Sequence, residues 1–279
     1  MAKPSANSLL PLLSSWAERM ETPAFLPEDP AQFMHRYSSP EDQEVVALTA
    51  ACLAFGQRKA ILDHVEAFLS LPGTHSPAQW LRQGLFLPCL PDSPRAFYRI
   101  FSFHALRRYC LALQALLQTH GTLGEALRHH WEKANSPRKP GSLALLLASL
   151  FPQECSPLVP KTLDNANKRL NLFLRWMVRQ NSPVDLGLWT WFPQNALLIP
   201  LDTHVLDTAK RLRLLPQNAL PSLKTAQLLT RKMKRLFPQD PLRADFALFG
   251  AGIMNIIRNF QRLGNKSYFP RKVMRHATC

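Results

Sequence analysis

After its first turn the stretch 41–55, EDQEVVALTAACLAF, is apolar on almost every side. A helix with apolar residues all round has to be enclosed by other elements. Its start is marked by Ser38-Ser39-Pro40-Glu41-Asp42, with two acids in the first turn, where they oppose the helix dipole. Gly56 is a fitting stop. The elements available to enclose it also read as helices. They run over roughly 58–71, a short piece near Trp80 inside a proline-rich loop 72–94, then 97–119, 122–134, 142–151, 165–178, 202–212, 221–237 and 243–260. Pro137–Gly141 and residues 152–160 are breaks. No run alternates with period two, so little or no sheet is expected. The fold class is all-α, with two packed helical layers.

The 279 residues suffice for one large domain or two small ones, and 46% are apolar, which excludes a disordered chain. Residues 1–30 read as an N-terminal extension. Their apolar patch is broken by Pro11 and followed by Glu18, so it is not a signal peptide. Residues 31–262 read as one helical unit, with an N-terminal part 31–151 and a motif-bearing part 152–262, and 263–279 as a basic tail. No apolar run reaches the ~18 residues of a membrane span, so no membrane association is expected. The five cysteines, Cys52, Cys89, Cys110, Cys155 and Cys279, are odd in number and include no C-x-x-C pair. That argues against disulfides, zinc and iron–sulfur clusters, and for a reducing, cytoplasmic setting with no metal or other cofactor.

Lys and Arg number 34 against 19 Asp and Glu, a formal charge of +15. Such an excess describes partners rather than fold. Nucleic acid is the commonest partner, through counterion release from phosphates, and a merely solvated basic surface is the plain alternative. The cations are dense at Arg231, Lys232, Lys234 and Arg235, and again from Lys266 to Arg275. Phosphate-cradling loops of the G-x-x-x-x-G-K-[ST] and G-x-G-x-x-G kinds are missing, as are G-x-S-x-G and H-E-x-x-H.

Two segments carry chemistry. In N-K-R-L-N-L-F-L-R-W-M-V-R (167–179), Leu170, Phe173, Leu174 and Met177 share one helical face, and Lys168, Leu172, Arg175 and Arg179 the opposite one. Neighbouring cations lower a lysine's pKa, and a neutral amine is a nucleophile toward a sugar C1′ or a carbonyl. The same stripe also reads as a solvated basic face touching phosphate. In L-L-I-P-L-D-T-H-V (197–205), Asp202 follows an apolar run at the start of a helix. It suits an N-cap, and it equally suits an ionised carboxylate that stabilises positive charge on a sugar as its base departs. His204 reads first as an exposed helix residue.

The I-P-L-D-T-H-V string, followed by Ala209, Arg211 and Leu212, is similar to the V-D-T-H-V element of helix-hairpin-helix DNA glycosylases of the endonuclease III kind. The 167–179 string followed by Val184-Asp185-Leu186-Gly187-Leu188-Trp189 resembles an uncharacterised bacterial family, domain of unknown function 2400, itself distantly similar to archaeal 8-oxoguanine glycosylases. The resemblance extends from Glu41 to Gly250. It implies a glycosylase-like fold with a basic cleft between the layers. It also implies a DNA repair glycosylase with AP-lyase activity, acting on double-stranded DNA as a monomer and excising a damaged base such as an oxidised purine. Asp202 is implied as the catalytic carboxylate and Lys168 as the Schiff-base lysine, with Lys161 as runner-up. Trp176 and Trp189 are core residues or stack an extruded base. Asp185 caps a turn or reads a base edge, and His204 lies at the substrate. Arg169, Arg175, Arg179 and Lys210 are the candidate phosphate contacts. The glycine-rich hairpin of ordinary glycosylases is missing, since 155–167 holds no glycine. A non-catalytic nucleic-acid-binding protein on the same scaffold is therefore the second reading.

Overall fold

The computed structural model describes residues 6–134, 139–161 and 166–253. The enclosed helix lies where its composition demands. Helix α2 (Pro40–Leu53) is buried from Glu44 through Leu53. Around it stand the 3-10 turns Pro30–Arg36, α3 (Arg58–Leu69), α4 (Pro77–Arg82), α5 (Phe103–His120), α6 (Leu123–Lys133), α7 (Ser142–Ser149) and α8 (Lys168–Val178), which share one core. The buried acids of α2 cap its neighbours. Asp42 Oδ1 accepts from Ala78 N at 2.8 Å, at the start of α4. Glu44 Oε2 accepts from Leu123 N and Gly124 N at 2.7 and 3.1 Å, at the start of α6. Its Oε1 accepts from the Trp189 indole at 2.6 Å. Burial pushes the Glu44 carboxyl above its usual range, and these three donors pull it back.

A second core is built from α1 (Ala6–Met20), the extended run Leu198–Leu201, α9 (Thr203–Arg211), α10 (Leu223–Leu236) and α11 (Arg243–Ile253). The architecture is thus mostly helical. Two readings of the chain's organisation are corrected. The N-terminal segment is no appendage. Pro11 sits inside α1, whose Leu9, Leu13, Trp16 and Ala17 are buried in the second core beside α11. Nor do the two parts divide at 151/152, because α8 belongs to the first core, and Leu242 and Phe246 from the far end of the chain pack there as well. The helix expected from residue 97 begins at Phe103. Before it, β1 (Ala96–Tyr98) and β2 (Phe101–Ser102) form an antiparallel hairpin, turned through Arg99 at φ 51° and tied to the α2–α3 turn by Tyr98 Oη donating to Phe55 O at 2.8 Å. The basic tail 263–279 and the last part of the expected 243–260 helix lie outside the described residues.

The cores are joined by buried charge. From α8, Arg175 Nε donates to Asp185 Oδ1 at 3.1 Å and its Nη1 to Asp245 of α11. Arg179 donates to Asp240 at 2.8–3.0 Å, to Asp185 Oδ2 at 3.0 Å and to both oxygens of Glu21, just past α1. Both guanidiniums lie over the Phe246 ring, at 4.3 and 5.3 Å from its centroid. Close helix approach does the rest. A Cβ on Gly250 would stand 2.2 Å from Met20 Cγ, and one on Gly252 3.1 Å from His204 Cβ of α9. Among the described residues, no helix is long and apolar enough to cross a membrane.

Two stability outcomes follow from these contacts. Gly250→Ala forces α1 off α11 and lowers the unfolding free energy by about 1–3 kcal/mol in urea titration. Arg179→Met leaves three carboxylates short of a cation and costs about 3–5 kcal/mol; a loss below 1 kcal/mol would show the network to be incidental.

Candidate active site

Where the two cores meet there is a cavity of about 300 Å³. One wall is the α2–α3 turn with the start of α3 (Ala54 to Ile61), the next Phe25, Asp29 and Pro30, and the third Lys168, Leu172 and Arg175 of α8. The second core supplies Pro200, Asp202, His204, Asp245 and Phe249. The stripe Lys168–Leu172–Arg175 read from the sequence is therefore real, but it faces this cavity and not bulk water.

Lys168 is the first residue of α8, so its side chain emerges at the helix end rather than within the packed face. Asp202 is the N-cap of α9, with Oδ1 accepting from Val205 N at 2.8 Å. Its second oxygen, Oδ2, is free of that duty and lies 3.5 Å from Lys168 Nζ. The lysine side chain is 37% exposed and the aspartate 11%. The capping role and a role in the cavity are therefore compatible, because each takes a different oxygen. Two groups 34 positions apart in the chain converge at one point, one from each core.

Not every site residue expected from the sequence lies here. Trp176 is fully buried and Trp189 is 3% exposed, with its indole donating to Glu44 and its ring edge-on to Phe173 at 5.3 Å. Both are core residues, which corrects their reading as stacking platforms. Asp185 has no accessible side-chain surface and holds Arg175 and Arg179, so it reads no base edge. Arg175 and Arg179, 4% and 2% exposed, face four carboxylates and are corrected from phosphate contacts to interior ion pairs. Arg169 is likewise turned inward, donating to Cys52 O at 2.6 Å and Pro157 O at 2.7 Å, with its guanidinium over Phe101. Lys210 is half-buried near the end of α9 and lines no part of the cavity. His204 does line it, exposed and edge-on to Phe249 with centroids 5.9 Å apart. Lys161 donates to the carbonyls of Ala148, in the last turn of α7, and Phe151, just past it, and stands outside the cavity.

The cavity is also not basic. Arg58, Lys168 and Arg175 meet Asp29, Asp202 and Asp245 there, three charges of each sign. Asp29, Arg58 and Phe249 were not singled out in the sequence. Asp29 could have been read as the N-cap before Pro30, which it is, accepting from Ala31 N at 3.0 Å. Phe249 follows Asp245 by four positions, so both share a face of α11. Arg58 reaches across from α3, its guanidinium 5.9 Å from the Phe249 centroid. Burial raises the Asp29 carboxyl, against the pull of Ala31 N–H and the nearby cations. Burial pushes Asp245 up to about 6, Arg175 opposes the rise, and the negative charge of Asp202 adds to it. Among the described residues, no group of three or more His, Cys, Asp or Glu is placed to hold a metal ion.

A carboxyl whose folded pKa is raised stabilises the fold fully below its ordinary 3.8, and that contribution is lost as pH rises through about 6. The urea midpoint of the protein, relative to that of Asp245→Asn, should therefore fall between those two values. Parallel pH profiles would place the Asp245 proton elsewhere.

No curated protein and no solved structure gave a significant match to the chain. A family model does match, over residues 29–254, a span that takes in the cavity walls from Asp29 to Phe249. The chain belongs to the family described as protein of unknown function DUF2400.

Proposed function

We propose that the protein is a DNA base-excision enzyme, a glycosylase with AP-lyase activity, working through Lys168 and Asp202. The observation that carries this reading is the approach of the Lys168 amine to 3.5 Å from Asp202 Oδ2 on the wall of a cavity between two helical cores. Its volume of about 300 Å³ is at the lower end for small-molecule sites, suited to one extruded base. Phe249, Phe25, Leu172 and Pro200 give apolar surface to the faces of such a base. Asp29 and Asp245 offer acceptors to its edge. Bases rich in N–H donors are favoured by that edge chemistry, an oxidised purine among them.

The chemistry would run as follows. The Lys168 amine, its ammonium proton given up to water, attacks C1′, and the C1′–N bond to the base breaks. The base leaves with the bonding electron pair and takes up a proton. Asp202, ionised as the bond stretches, stabilises the positive charge that develops on the sugar. Opening of the sugar ring at O4′ gives the protonated Schiff base, with O4′ taking a proton. Loss of a C2′ proton then expels the 3′ phosphate by β-elimination.

Borohydride trapping on lesion-containing and abasic duplexes at low salt tests this. The expected outcome is a covalent adduct that Lys168→Gln abolishes. Asp202→Asn should slow base release by about 10²–10³ while keeping the helix cap, since Asn caps as well as Asp. A set of lesions giving no adduct, with duplex binding intact in both variants, would favour the non-catalytic reading, to which the glycine-free run 155–167 already lends weight.

A further inference from the structure

The cavity lacks an excess of cations, and Arg175, Arg179 and Arg169 are turned inward. A protein that acts on a polyanion must hold its phosphates elsewhere. Between Thr208 and Gln239 the chain carries eight cations and no acid: Lys210, Arg211, Arg213, Lys224, Arg231, Lys232, Lys234 and Arg235. Five of them are on α10. We infer that the outer face of α10 is a docking surface for the phosphate backbone of double-stranded nucleic acid. The identity of this polyanion rests on the reading above, but the surface is separate from the cavity.

The face is fixed by what lies beneath it. Ala226, Leu229, Thr230 and Met233 are buried in the second core, and Thr230 Oγ1 accepts from Ile199 N at 3.1 Å. At 100° per residue, Lys224, Arg231 and Arg235 fall within a narrow stripe on the opposite side. All three are exposed, and no carboxylate among the described residues pairs with them. From Lys224 to Arg235 the stripe is about 16 Å long, close to half a helical turn of duplex. Gln227 Nε2 donates to Pro140 O at 3.2 Å, which brings the exposed Lys139 alongside the first half of the helix.

Helix stability explains Arg235 alone, which stands in the last turn where the dipole favours a cation. Lys224 stands in the first turn, the wrong end of the dipole for a cation. Arg231 and Arg235 are like charges at i and i+4, a destabilising pair. Charges placed against local rules with no compensating contact mark a surface kept for a partner. A lipid partner is disfavoured, because the apolar face that would enter a bilayer is already consumed by the second core.

The test is binding of the full-length protein to an undamaged duplex of 25 base pairs by fluorescence anisotropy across a salt series. The triple variant Lys224→Ala, Arg231→Ala, Arg235→Ala is compared with a control of equal charge loss, Arg36→Ala, Lys59→Ala, Arg128→Ala, whose cations are paired with Glu66, Asp63 and Glu132. The α10 triple should weaken binding at least about tenfold at 0.1 M salt and reduce the slope of log K against log salt by about 2–3. The control should keep the slope, and thermal unfolding of the α10 triple should be unchanged or raised. Equal losses in both variants, no loss in either, no duplex binding by the parent protein, or binding only to vesicles of anionic lipid would each overturn the inference. The test reads no chemistry. A failed trapping assay with the slope change present would remove the enzyme and leave the surface, and the reverse result would remove the surface alone.

Discussion

Two guanidiniums facing four carboxylates inside the protein set the relation of its two cores. Arg175 and Arg179 come from α8 in the first core; Glu21, Asp240 and Asp245 belong to the second, and Asp185 closes the network from the loop after α8. Buried ions are tolerated only when matched and hydrogen-bonded, so this network admits few alternative arrangements of α8 against α1 and α11. The cavity is a consequence. It is the space left between the cores beside the network, and Arg175 and Asp245 belong to both.

That dependence gives the Lys168–Asp202 approach its physical basis. Lys168 is placed by the N-terminal end of the helix that carries the two arginines, and Asp202 by the cap of α9, which packs on α11 through Gly252. A shift between the cores would part the two groups, since one is carried by each core. The balance of charge inside the cavity also separates tasks. A neutral cavity with apolar walls suits a single base, and the acid-free stretch from Thr208 to Gln239 keeps the cations outside.

Much of the helical framework was legible because helices leave local marks. The all-round apolar run of α2, with its proline and acids at the start, was read within one residue of its beginning, and Thr122, Ser222 and Asp202 mark the starts of α6, α10 and α9. The hairpin at 96–102 was missed because strands of three and two residues are too short to show a period. Helix α1 was missed because Pro11 suggested a break. The arginines were misplaced for a different reason. Periodicity reveals a polar stripe on α8 but cannot distinguish a solvated face from one whose partners sit at positions 21, 185, 240 and 245. Asp245 carries no local mark of a site either, since its place in the cavity depends on where α11 crosses α8. Lys168 and Asp202 were legible from a resemblance in their surrounding strings, and their proximity is a fact of the fold alone.

The central claim is that Lys168 is the amine that attacks the sugar, and the most direct measurement is the mass of the modified peptide after borohydride reduction and tryptic digestion of an adduct with abasic duplex. The account requires the sugar remnant on the peptide containing Lys168. A remnant on Lys161 or on the terminal amine, with Lys168 unmodified, would contradict it.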